Sequence, residues 1–109
     1  MQSETVRKVL DNELKKGDVL GVARFAAIRA ATTAPLLLLG SQSLSRHVVA
    51  VNFTVATTHI DIEIVIESAG GFVTSSHSNA AALVAALTIY DMCKAVDHSM
   101  VIEDVASTR

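Results

Sequence analysis

Two spacings of apolar residues divide the chain. From Ser3, the start of the pattern Ser-Glu-Thr-Val, the residues Val6, Val9, Leu10 and Leu14 recur at helical intervals, which predicts a helix over about residues 4 to 13. Lys15-Lys16-Gly17 breaks it. Asp18 is a good cap for a second helix, Val19 to about Thr32, in which Val19, Val22, Ala23, Ala26, Ala27 and Ala30 form a small-residue stripe suited to close packing, flanked by Arg24 and Arg29. Ala34-Pro35 favours extended backbone, so Leu36 to Leu39 is expected as strand or buried loop.

The period then changes to two. Val49, Val51, Phe53 and Val55 alternate on one side of a strand. After Thr57-Thr58-His59, Ile60, Ile62, Ile64 and Ile66 face inward while Asp61, Glu63, Val65 and Glu67 face outward. Together these predict an antiparallel hairpin with one wet face. Gly70-Gly71 ends it, Phe72-Val73 is expected to start a third strand, and Ser75 to Asn79 a polar loop ending at a helix cap.

A long helix is predicted over about Ala80 to Val96, with Ala82, Ala85, Ala86, Ile89, Cys93 and Val96 on one stripe and Ala80, Leu83, Leu87, Asp91 and Lys94 on the other. Being apolar on both faces near its start, it must be covered twice, by an oligomer or a second layer. Met100 to Val105 would supply a closing strand. The order of elements is α+β, of ferredoxin-like type, with an antiparallel sheet and the helices packed on one face.

Composition narrows the function classes. A chain of 109 residues is one domain, residues 1–109, close to the smallest size that holds a fold on one core. Its single cysteine, Cys93, excludes an internal disulfide and fits a buried thiol in a reducing compartment. Half of the residues are hydrophobic, a surplus that points to a subunit interface. The apolar run Ala34 to Leu39 is too short for a membrane span, and the polar start lacks the apolar segment of a signal peptide, so a cytoplasmic location is expected. A net charge of -2 without a basic cluster beyond Lys15-Lys16 gives no nucleic-acid footprint.

Familiar chemical motifs are absent. His47, His59, His77 and His98 lack metal-ligand spacing. Gly70-Gly71 is not followed by the Lys-Ser/Thr of a phosphate loop, and no Ser/His/Asp arrangement can be assembled. Asp91 and Lys94 stand out instead. They sit three residues apart in an apolar helix, on one face, and on spacing alone an exposed ion pair explains them as well as a site does.

The stretch Ala85 to Asp97, with Met100-Val101-Ile102, closely resembles a signature of the MoaC family of molybdenum cofactor biosynthesis. Ser3-Glu4-Thr5, Asp11, Lys16-Gly17-Asp18-Val19, Ala23-Arg24 and Ala30-Ala31 match it further, so the resemblance covers nearly the whole chain. It implies a ferredoxin-like hexamer of dimers with active sites between subunits. The implied reaction is the conversion of a cyclised guanosine triphosphate to cyclic pyranopterin monophosphate with release of pyrophosphate, a lyase activity. The family's two lysines and aspartate map to Lys16, Lys94 and Asp91: the lysines to hold phosphate or move protons, the aspartate to orient Lys94. No resident cofactor is implied, Mg²⁺ entering, if at all, with the triphosphate.

The sequence departs from the family pattern around this core. Where the family has Cys-His-Pro this chain has Ser41-Gln42-Ser43, and where it has Glu-Met-Glu this chain has Ser75-Ser76-His77. Gln42 can hydrogen-bond a substrate but cannot exchange a proton near neutrality. Ser41, Gln42, Ser75 and His77 are thus the candidate substrate-binding residues. Thr32-Thr33 replaces a Lys-Arg pair, and both ends are shorter than the family pattern. Three readings follow: a synthase, a non-catalytic relative that binds a pterin or nucleotide phosphate or modulates an intact synthase, and an oligomeric domain with an unrelated interaction role. A homo-oligomer is expected, and a heteromer with an intact relative could supply missing groups in trans.

Overall fold

The computed structural model describes residues 1–38, 42–70 and 73–107, with only the backbone of Ser45 and Gly70. Its elements are α1 (Ser3–Leu10), α2 (Val19–Leu37), β1 (Ser45–Val55), β2 (Ile60–Gly70) and α3 (Ser75–Cys93). The chain is α+β: a two-stranded antiparallel sheet with helices packed against it.

The hairpin follows the alternation. Val49 pairs with Ile66, Val51 with Ile64, Phe53 with Ile62 and Val55 with Ile60, so every apolar residue read as inward meets one from the other strand. A one-residue slip would turn this whole set to solvent, which fixes the register. Ala56 N–H donates to His59 O at 2.9 Å and closes the turn. Arg24 of α2 reaches the sheet, donating to the Val51 carbonyl at 3.3 and 3.4 Å with its guanidinium 5.2 Å from the Phe53 ring centre.

α2 and α3 pack closely because their facing residues are small. Ala23, Ala27 and Ala31 of α2 and Ala81 and Ala85 of α3 are fully buried in one core with Val19, Val51, Ile89 and Cys93. The side chains at the contact set the distance between helix axes, and methyl groups allow a short one. By length and composition alone α2 could cross a membrane, but Arg24 and Arg29 lie within it and its alanine face is buried here.

Element ends differ from the sequence reading. α1 stops at Leu10 rather than residue 13, with Asn12 in the left-handed region at φ 54°. α2 runs past Thr32 to Leu37, so Leu36 and Leu37 are helical and largely exposed, neither strand nor buried loop. Pro35 falls in its last turn, where burial of Ala31 and Ala34 and the bond from Leu38 N–H to Ala34 O at 2.9 Å keep the helix going. Leu39 lies outside the described residues.

α3 begins at Ser75, not Ala80, because Thr74 rather than Asn79 caps it: Thr74 N–H donates to Nδ1 of His77, the N3 residue, at 3.1 Å. It ends at Cys93, before Val96. Its buried stripe is His77, Ala81, Ala85, Ile89 and Cys93, rotated from the one read, with Val96 exposed.

Among the described residues the sheet has two strands, β1 and β2. Val73 is outside any strand, Phe72 lies outside the described residues, and Met100 to Val105 forms no ladder. The last segment runs beside β2 across a cavity of about 530 Å³, and Asp104 has φ 57°, a left-handed backbone that interrupts extension.

Ala85→Leu should therefore overpack the α2–α3 contact and cost about 1–3 kcal/mol. In urea unfolding this would appear as a lower midpoint with an unchanged slope.

Candidate active site

Three charged side chains meet at the C-terminal end of α3. Lys94, the C-cap residue, lies one helical turn below Asp91, and its Nζ is 2.8 Å from Asp91 Oδ1. Lys16 arrives from the loop between α1 and α2 and donates to the Asp91 carbonyl at 3.2 Å. Gly17, at φ 99°, makes the turn after Lys16 with a backbone that residues bearing a Cβ avoid.

The helix end attracts these cations. The last carbonyls of a helix lack intrahelical partners and carry partial negative charge, so a lysine there satisfies an acceptor and opposes the dipole. Lys94 and Lys16, in that order, hold the Asp91 carboxyl below the usual carboxylate range. The hydrogen bond and charge of Asp91 in turn push the Lys94 ammonium above the usual lysine range. Asp91 and Lys94 are both more than half exposed, so the pair contributes little to stability. What it presents is an ionised carboxylate and two ammonium groups open to solvent. In this state Lys94 can bind phosphate or donate a proton; it is not a base.

The other candidates lie elsewhere. His77 and Gln42 meet at the N-terminal end of α3, with Ser75 in the exposed first turn; Ser41 lies outside the described residues. His77 is fully buried, not a solvated loop residue. Its Nδ1 accepts from Thr74, so the ring proton sits on Nε2 and is donated to the Gln42 backbone carbonyl. With both nitrogens engaged, His77 joins α3 to the segment before β1. From His77 to Lys94 is roughly 25 Å of helix, so one copy of the chain cannot bring both groups to one small molecule.

A residue that the spacing did not reveal supports the charged end. Asp97 is 1% exposed and follows Lys94 by three residues. Its Oδ2 accepts Gln2 N–H at 2.8 Å, and its Oδ1 accepts Ser99 N–H at 2.8 Å and the Ser99 hydroxyl at 2.6 Å. Burial alone would raise this carboxyl, but the hydrogen bonds from Ser99, Gln2 and Thr5 outweigh it and hold it well below the usual range. The Asp-x-Ser turn pattern directly after an apolar helix was its one visible signal. Cys93, fully buried, has its thiol pushed up by burial and then by Asp97, and is inert. Among the described residues, no group of three or more His, Cys, Asp or Glu could hold a metal ion.

Two lysines gathered around an aspartate at a helix end thus form a solvent-open charged cluster in an α+β chain. The chain belongs to the MoaC family, whose model matches residues 1–109. It is similar to the cyclic pyranopterin monophosphate synthases of Natranaerobius thermophilus (39% identical, across 96% of this chain and 67% of the relative) and Heliobacterium modesticaldum (41%, 96% and 67%). The synthase of a Roseiflexus species is 40% identical across 100% of this chain and 70% of its own length. The chain thus spans about two thirds of the length of these relatives.

Two outcomes follow. His77→Ala removes a helix cap and a buried hydrogen-bonding group, and should cost at least about 1–2 kcal/mol in chemical denaturation. For Asp97, whose folded pKa lies below the unfolded value of about 3.9, the stabilisation is complete above that value and disappears as pH falls through the folded pKa. The melting-temperature gap between the protein and Asp97→Asn should be widest at neutral pH and narrow in acid below about pH 4.

Proposed function

We propose that this chain acts in molybdenum cofactor biosynthesis as a cyclic pyranopterin monophosphate synthase, a lyase that converts a cyclised guanosine triphosphate to the cyclic monophosphate and releases pyrophosphate. The observation that carries the proposal is the Lys16–Asp91–Lys94 cluster, assembled from two separate elements in a chain whose similar relatives bear that name.

Releasing pyrophosphate requires positive charge where the leaving group's charge develops, and two ammonium groups at one helix end supply it. Lys94, kept protonated by Asp91, is assigned as the proton donor to the departing phosphate. Lys16 and Lys94 are thus assigned to the phosphates, and Asp91 to orienting Lys94. Gln42, Ser75 and His77 belong to the opposite end of α3, with His77 as a scaffold for that end rather than a base; Ser41, outside the described residues, is assigned to substrate binding with them. A site using both ends draws them from different copies, which supports a homo-oligomer of the hexamer-of-dimers kind. The exposed Leu83 and Leu87 of α3 and Phe25 of α2 offer it an apolar surface. A ferredoxin-like arrangement, a cytoplasmic location and Mg²⁺ carried by the triphosphate complete the proposal. Nucleic acid and membrane are not among its partners.

Incubating the purified protein with the cyclised guanosine triphosphate should yield cyclic pyranopterin monophosphate and pyrophosphate. Lys94→Ala and Lys16→Ala should each lower turnover by about a hundredfold or more. Substrate binding without product would replace the synthase by a phosphate-binding relative. A monomer by light scattering would remove the shared site.

A further inference from the structure

The charged cluster depends on two chain segments that are far apart in sequence. Asp91 and Lys94 belong to α3, whereas Lys16 comes from the loop after α1. Their meeting therefore depends on how α1 is seated against the end of α3. Val6, Val9 and Leu14 are buried, Val9 and Leu14 in the common core, but hydrophobic contact is non-directional and does not by itself fix how a short helix is turned. Hydrogen bonds remove that freedom, and the described residues place a set of them at one carboxylate.

Asp97 faces both sides of the junction. On the α3 side, its own N–H and that of Val96 donate to Cys93 O at 3.1 and 3.0 Å, and Oδ1 takes both bonds from Ser99, so the turn that carries Lys94 is fixed. On the α1 side, Oδ2 accepts the N–H of Gln2, the N-cap of α1, and the carboxylate also accepts the Thr5 hydroxyl from the first turn. A carboxylate at a helix N-terminus both satisfies a free N–H and complements the dipole.

We propose that Asp97 is a positioning residue for the cluster: by fixing the N-terminus of α1 on the turn that carries Lys94, it sets the approach of Lys16 to Asp91. Asp97 touches neither lysine. It acts through α1 and the loop that follows, so its influence falls on Lys16, while Lys94 stays anchored in α3. The ligand-binding arm of the test rests on the phosphate-binding role proposed above; the other arm does not.

The substitution is Asp97→Asn, which keeps one oxygen for Ser99 and presents an amide to Gln2 N–H in place of an acceptor. Without ligand, the readout is the Asp91 carboxyl titration by nuclear magnetic resonance, because Lys16 helps to hold that carboxyl down. In Asp97→Asn it should move upward, in the direction produced by Lys16→Ala, and should not move further in the double variant. With inorganic tripolyphosphate as probe, Asp97→Asn should weaken binding by about tenfold, the loss expected when one hydrogen bond to a charged group is weakened. In a Lys16→Ala background the loss should vanish, and in a Lys94→Ala background it should persist. A residue that merely stabilised the fold would act alike in both backgrounds.

Thr5→Val loosens the same α1 contact more gently and should shift the Asp91 titration in the same sense, whereas Ser99→Ala leaves that contact intact and should not. This pair decides the question if Asp97→Asn fails to fold. An unshifted Asp91 titration in the variants that loosen α1, or equal binding losses in the two lysine backgrounds, would overturn the proposal. Failure of the unsubstituted protein to bind tripolyphosphate, with the Asp91 shifts present, would instead overturn the phosphate role and leave Asp97 as proposed.

Discussion

The close approach of α2 and α3 is the constraint on which the rest depends. Ala23, Ala27 and Ala31 against Ala81 and Ala85 leave no room for larger side chains, and the helix pair fixes the floor on which the hairpin lays its isoleucines. Because α3 is held along most of its length, it works as a ruler. Its first turn holds the Gln42 segment through His77, and its last turn holds Asp91 and Lys94. The alanines have no chemistry of their own, yet they decide where the chemistry can occur.

At the charged end, the electrostatics of the helix do part of the site's work. Unpaired carbonyls would draw a cation to this position in any helix. The Lys16 bond to the Asp91 carbonyl is such a contact, and the Asp91–Lys94 pair alone would pass for a surface ion pair. What separates the cluster from ordinary capping is that two ammonium groups from different segments converge on one residue while both side chains of the pair stay open to solvent. Burying the pair would cost the hydration of both charges, and left in water the lysine is free to exchange the carboxylate for another anion.

The legibility of the fold followed the physics of each element. The hairpin was readable residue by residue, because alternation with period two admits one register once a face is buried. Helix ends were not, because they depend on contacts outside the local pattern. Pro35 argued locally for extended chain, but burial of Ala31 and Ala34 carried α2 to Leu37. Ser75 to Asn79 looked like loop because no acidic or amide residue stood at N3, and a histidine took that place. In the site, Lys16, Asp91 and Lys94 were legible through family resemblance rather than spacing, since the spacing fits a plain ion pair equally well. Asp97 was missed because its partners, Gln2 and Thr5, lie at the other end of the chain.

The proposed chemistry places a geometric demand on this arrangement. The lysines assigned to phosphate in that proposal sit at one end of α3 and the Gln42–His77 junction at the other, roughly 25 Å apart, a span greater than a single nucleotide. Bending α3 to bring the ends together would break the alanine packing that holds it. In the proposed homo-oligomer the N-terminal end of one α3 would lie beside the C-terminal end of another, an arrangement that symmetry supplies without strain in either copy. The exposed Leu83 and Leu87 lie on the helix that such an arrangement must cover. On that proposal the apolar second face of α3 and the division of the candidate site have one common explanation: each would be completed by another copy.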